Sequence, residues 1–148
     1  MKAYMKTHRG LVREQNEDTI CVAEPLYVLA DGMGGHQAGE VASALAARTL
    51  CETLRDMQPS ADALTRGYLA ANSAVFARQK EDKTLSGMGT TMTALWEDQE
   101  YVFVGQIGDS RAYLYRDGKL HQITEDQSMV GEMLRAVLTG SLYPSALY

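Results

Sequence analysis

Two short apolar runs, residues 19–23 and 26–30, open the pattern of this chain and predict two β-strands. Glu24-Pro25 separates them, where proline withholds a ladder donor and favours a turn. The second run, Leu-Tyr-Val-Leu-Ala, is apolar throughout, as suits a strand covered on both faces. It stops at Asp31, and the glycine-rich stretch Gly32-Met33-Gly34-Gly35 leads into a different period. From residue 37 to about 57, Val41, Ala44, Leu45, Arg48, Leu50 and Leu54 recur at helical spacings. Ala42, Ala44, Ala46 and Ala47 raise helix propensity there and permit close packing on a sheet. Gln58-Pro59 ends that helix, and Ser60 reads as the cap of a second one reaching about residue 80. Leu64, Tyr68, Ala71 and Val75 share one of its faces. A polar loop at 81–89 precedes four predicted strands at 90–96, 101–107, 111–115 and 120–123. Residues 97–100 and the Arg116-Asp117-Gly118-Lys119 turn predict hairpins, and 128–138 a last helix. Helices segregated from antiparallel strands indicate an α+β layered sandwich rather than a doubly wound sheet.

Composition changes this picture little. The 148 residues, 45% hydrophobic and 22% charged, suit one globular domain with a real core. A formal charge of −5 argues against a basic nucleic-acid face, yet leaves phosphate chemistry open wherever metal ions supply positive charge. The first ten residues hold no apolar signal core, and no apolar run approaches a membrane span, so the expectation is a cytoplasmic chain. Cys21 and Cys51 lack metal-type spacing and read as small buried hydrophobes in a reducing compartment.

Three acidic clusters carry candidate chemistry. The glycine turn after Asp31 fails the dinucleotide fingerprint at its last position and lacks the Gly-Lys-Ser/Thr of a P-loop. A carboxylate beside phosphate needs an intervening cation, so Asp31 reads as a metal ligand or as a plain cap of a tight turn. Arg13 and Asn16-Glu17-Asp18 precede the first strand. If that strand pairs with 26–30, the acids approach Asp31, in an oxygen-rich set that suits Mg²⁺ or Mn²⁺. Read alone, they also suit a solvated loop. Arg13 suits a bidentate grip on phosphate. Asp109, in Gly108-Asp109-Ser110-Arg111, repeats the form of an acid after an apolar strand, although a turn aspartate explains it too.

Taken in order, Arg13-x-x-Asn16-Glu17-Asp18, Asp31-Gly-Met-Gly-Gly35-His36-x-x-Gly39-Glu40, Gly87-Met-Gly-Thr90-Thr91 and Gly108-Asp109-Ser-Arg111 resemble the motifs of PPM/PP2C-type protein serine/threonine phosphatases, the bacterial branch above all. The resemblance implies a four-layer α-β-β-α sandwich of antiparallel sheets. It implies that Glu17, Asp31 and the Gly32 carbonyl ligate two Mn²⁺ or Mg²⁺ ions, with Asp31 bridging. Asp18 would orient water or join a further metal site, Asp109 would help hold a third ion, and Arg13 would bind substrate phosphate. Partners would be phosphorylated substrates of a serine/threonine kinase, with no nucleic acid or membrane involved.

Some positions depart from the family. Met33 stands where eukaryotic relatives place a histidine, leaving His36 as a possible general acid; His8 and His121 read as surface or strand residues. Asp126-Gln127-Ser128 replaces Asp-His-Ser. Residues 1–139 read as the N-terminal portion of the phosphatase domain and 140–148 as a divergent tail. Two later aspartates of the family have no counterpart, since Glu132 is the one acid after Asp126. The expectation is therefore a C-terminally truncated domain with weak or no turnover, the alternative being a non-catalytic binding module.

Overall fold

The computed structural model describes residues 2–35 and 38–127. The possible acid His36, the predicted helix at 128–138 and the tail at 140–148 lie outside these residues. The described order is β1 (Asp18–Ala23), β2 (Leu26–Met33), α1 (Ala38–Leu54), α2 (Ala61–Glu81), β3 (Gly89–Thr90), β4 (Met92–Glu97), β5 (Val102–Ile107), β6 (Tyr113–Arg116) and β7 (Lys119–Gln122). A single 3-10 turn, Lys83–Leu85, interrupts the stretch read as loop.

All pairings are antiparallel. β1, β2, β4 and β5 lie side by side with β3 also on β2, and β6–β7 form a separate hairpin. Both helices cover one face of the larger sheet. Strand alternation puts Leu26, Val28 and Ala30 of β2 and Met92, Ala94 and Trp96 of β4 beneath Ala42, Ala46, Ala47 and Leu50 of α1. The buried stripe of α1 runs through Ala38, Ala42, Ala46, Ala47, Leu50 and Leu54; Val41 and Leu45 pack at its margin, and Ala44 and Arg48 are exposed. Small side chains let the helix approach the strands closely, which decides the geometry of the site below. The opposite sheet face presents Ile20, Val22, Leu29 and Val104.

Local signals act as expected. Ser60 Oγ accepts from Ala63 N at 3.1 Å and caps α2. Asp117 and Gly118 both take positive φ, 52° and 74°, as the two-residue hairpin between Arg116 and Lys119 requires. Asp98 Oδ1 accepts from Glu100 N and Tyr101 N, closing the β4–β5 turn.

Two strand boundaries differ from the pattern. β2 does not end at Ala30 but continues through Asp31, Gly32 and Met33, because Gly32 and Met33 pair with Thr90 and Gly89. The strand predicted at 90–96 divides at Thr91 into β3 and β4. The break sits opposite Asp31.

Candidate metal and phosphate site

Antiparallel register brings the first two acids together. Asp18 is directly opposite Asp31 in the β1–β2 ladder, so both side chains leave the same face. Directly opposed residues have Cβ atoms about 5 Å apart, and like charges there oppose folding. Asp109 follows β5 and joins them. Gly108 turns the chain with φ +90°, and a Cβ on it would meet Thr91 Cγ2 at 2.7 Å, so the loop carrying Asp109 closes tightly on Thr91. Asp31 is exposed at the cavity mouth, yet its carboxyl is pushed above the usual carboxylate range. Partial loss of water comes first, then the charges of Asp18 and Asp109; Arg13 pulls the other way. Arg13, Asp18, Asp31, Asp109, Thr91 and His8 all line a cavity of about 410 Å³.

The segments that carry these acids are held by identifiable partners. Thr91 N donates to Asp31 O at 2.9 Å, but the reciprocal bond of a regular ladder is replaced: Asp31 N donates to Thr91 Oγ1 at 3.1 Å. Thr91 O instead accepts from Thr90 Oγ1 at 2.7 Å, and Ser110 Oγ lies 2.7 Å from Thr91 Oγ1. This substitution of a side chain for a carbonyl explains the division between β3 and β4. Thr7 Oγ1 donates to Asp18 Oδ2 at 2.6 Å, and Asn16 steadies both, donating to Thr7 and accepting from Asp18 N. Arg111 grips Asp126 with Nε and Nη2, while Gln127 N donates to Gly108 O at 2.8 Å. Asp126 and Gln127 thus anchor the loop that bears Asp109.

Glu17 is placed differently. Its backbone oxygen accepts from Gly32 N at 3.1 Å and from the buried Ser43 Oγ at 2.7 Å. Its carboxylate lies against Gly39 in the first turn of α1, where a Cβ would come within 2.6–2.8 Å of the carboxyl atoms. Among the described residues no group of three or more carboxylate, imidazole or thiol side chains is close enough to hold an ion by itself. The donor chemistry nonetheless fits a hard divalent cation, which accepts a few carboxylates and fills its remaining positions with water.

Thr91, Ser43, Gly39 and Thr7 were not assigned roles from sequence. Thr91 and Gly39 lie inside the ordered motifs, whereas Ser43 and Thr7 carry no local signal. His8, read as an ordinary surface residue, lines the cavity, and its Nδ1 accepts from Gly10 N at 2.9 Å. That bond leaves the proton of the neutral ring on Nε2. Thr91→Val is expected to cost about 1 kcal/mol in urea unfolding through the lost acceptor. It should also weaken Mn²⁺ binding, because Asp31 loses its clamp.

The sequence pattern of protein phosphatase 2C matches residues 9–141. The chain belongs to this family. Curated phosphatase 2C relatives include the serine/threonine protein phosphatase PstP of Mycobacterium tuberculosis, 46% identical over 128 residues, covering 84% of this chain and 25% of PstP. The serine/threonine phosphatase stp of Listeria monocytogenes is 38% identical over 146 residues, covering 91% of this chain and 58% of its own length. The PstP catalytic domain, solved in complex with two manganese ions, superposes with a TM-score of 0.79 at 42% identity. That match covers 94% of this chain and 60% of the solved one. The chain therefore spans less than two thirds of these relatives. Such likeness establishes the α+β sandwich of antiparallel sheets and helices expected of a phosphatase 2C chain. Among the described residues no helix is long and apolar enough to cross a membrane.

Proposed function

We propose that the cavity formed by Asp18, Asp31 and Asp109 binds Mn²⁺ or Mg²⁺ and serves hydrolysis of phosphoserine and phosphothreonine esters. The substrates in this reading are proteins phosphorylated by a serine/threonine kinase, in cytoplasmic signalling. The observation that carries it is the pairing of Asp18 opposite Asp31 with Asp109 alongside, like charges that a cation would turn from a cost into a binding site.

A divalent cation held there supplies Lewis acidity and an activated water for attack at phosphorus. Asp31, Asp109, Glu17 and the Gly32 carbonyl are the proposed ligands. Asp18, fixed by Thr7 and Asn16, orients water with a carboxylate oxygen. Arg13, exposed on the cavity wall, offers a planar fork for two phosphate oxygens. The manganese complex of the PstP catalytic domain supports the assignment of metal. A Mycobacterium smegmatis phosphatase of this family, solved in complex with cacodylate, superposes with a TM-score of 0.74 at 37% identity.

Release of inorganic phosphate from a phosphothreonine peptide tests the proposal. Release is expected to require Mn²⁺ and to vanish in Asp31→Ala. Arg13→Ala is expected to lower kcat/KM about 10- to 100-fold, mainly through KM, as loss of charge-assisted hydrogen bonds implies. Release without Mn²⁺, or undiminished in Asp31→Ala, would sink it. The lack of a close three-ligand group among the described residues favours a second reading, a phosphopeptide-binding module. That reading expects Mn²⁺-dependent peptide binding with no phosphate released.

A further inference from the structure

Cys21 and Cys51 are distant in sequence but adjacent in space. Cys21 lies on β1, opposite Val28 in the ladder, and Cys51 lies near the C-terminal end of α1. Their Sγ atoms are 2.9 Å apart, and both are free thiols. A disulfide bond measures about 2.05 Å, so forming one asks for an approach of less than about 1 Å. Both residues are half-buried at the margin of the core. Burial and the hydrogen bond with Cys21 push the Cys51 thiol up to about 12, so in the reduced pair Cys51 keeps its proton. A thiol of this kind is a poor nucleophile alone, but it stands next to a partner able to intercept oxidation.

We propose that Cys21 and Cys51 form a reversible intramolecular disulfide under a peroxide-class oxidant. One thiol attacks a peroxide oxygen, giving a sulfenic acid and releasing water. The second sulfur then attacks the sulfenic sulfur, forming the S–S bond and expelling a second water. In sum, two thiols and one hydrogen peroxide give one disulfide and two waters. The sulfurs surrender two electrons and the peroxide oxygens accept them. A dithiol reverses the step by exchange. The bond would tie β1 to α1 and close a loop containing Asp31, Gly32 and Gly39, the backbone frame of the metal site. A cross-link of that span restricts the unfolded chain and stabilises the folded one.

The test is hydrogen peroxide treatment of the whole native protein, followed by alkylation under denaturing conditions and peptide mapping by mass spectrometry. Both cysteines should resist alkylation and appear in one linked peptide pair, with full recovery after dithiothreitol. Oxidation should raise Tm by about 10 °C, the size expected for a loop of this length. Cys21→Ser should abolish that rise and leave Cys51 open to alkylation. Thiols that stay alkylatable, that convert separately to sulfinic acids, or that link only between chains would overturn the proposal. So would a Tm rise that persists in Cys21→Ser.

Discussion

Asp31→Asn is expected to stabilise the metal-free protein and to remove most of the stabilisation that Mn²⁺ gives the wild type. The two effects have one cause. Asp31 faces Asp18 across the ladder and feels Asp109 as well, with Arg13 the opposing charge. Removing one of three clustered negative charges should relieve about 0.5–1 kcal/mol, a rise of about 1–4 °C in Tm. In the wild type, a cation present at about 100 times its Kd stabilises by about 2.7 kcal/mol. The asparagine variant should keep less than about a third of that gain, since a neutral amide oxygen replaces the central carboxylate. Calorimetric scans with and without Mn²⁺ measure both quantities. A variant less stable than wild type without metal, yet equally stabilised by Mn²⁺, would show that Asp31 is a structural cap.

Gly32→Ala should produce the largest loss of stability of any single methyl addition at this site. A Cβ on Gly32 would lie 2.0 Å from Gly39 O, 2.5 Å from Gly39 C and 2.9 Å from Glu17 O. All three are backbone atoms, so no rotamer change can make room, and α1 would have to lift from β2. Overpacking usually costs 1–3 kcal/mol; a backbone-to-backbone clash belongs at or above that limit, about 3 kcal/mol or more. Gly35→Ala provides the control, because among the described residues nothing lies within 4 Å of its added Cβ. Gly39→Ala should fall between them, since its clash is with the movable Glu17 carboxylate. Urea unfolding of the three variants gives the order directly, and a Gly32→Ala midpoint equal to that of Gly35→Ala would refute the close approach.

Much of the architecture was legible because it rests on local chemistry. Ser60 caps α2 through its own hydroxyl, and Asp117-Gly118 adopts the left-handed pair that its turn needs, whatever the rest of the chain does. The motif acids Asp18, Asp31 and Asp109 do converge, while Glu17 shares their cavity but rests on Gly39. What was not legible depends on register and packing across the sheet. Glycine after an apolar run reads as the end of a strand, yet Gly32 extends β2 because only a residue without a side chain fits under α1. The division at Thr91 follows from a hydroxyl that replaces a carbonyl opposite Asp31, an event that strand periodicity does not record. The meeting of Cys21 and Cys51 has the same origin, since their spacing of 30 residues carries no pairing signal. Ser43, which ties α1 to the backbone of Glu17, looks in sequence like a polar interruption of an alanine stripe.

In the proposed site, these carboxylates and Arg13 bind a divalent cation and a phosphate group together. Titration calorimetry of inorganic phosphate into the protein, with and without saturating Mn²⁺, tests it most directly. If cation and anion share the cavity, each must strengthen the other by the same factor. Phosphate affinity is expected to rise at least about 5-fold with Mn²⁺, a coupling of about 1 kcal/mol, and the gain is expected to disappear in both Asp31→Asn and Arg13→Ala. Phosphate binding that is indifferent to Mn²⁺, or a coupling that survives both substitutions, would rule out a shared cation and phosphate site.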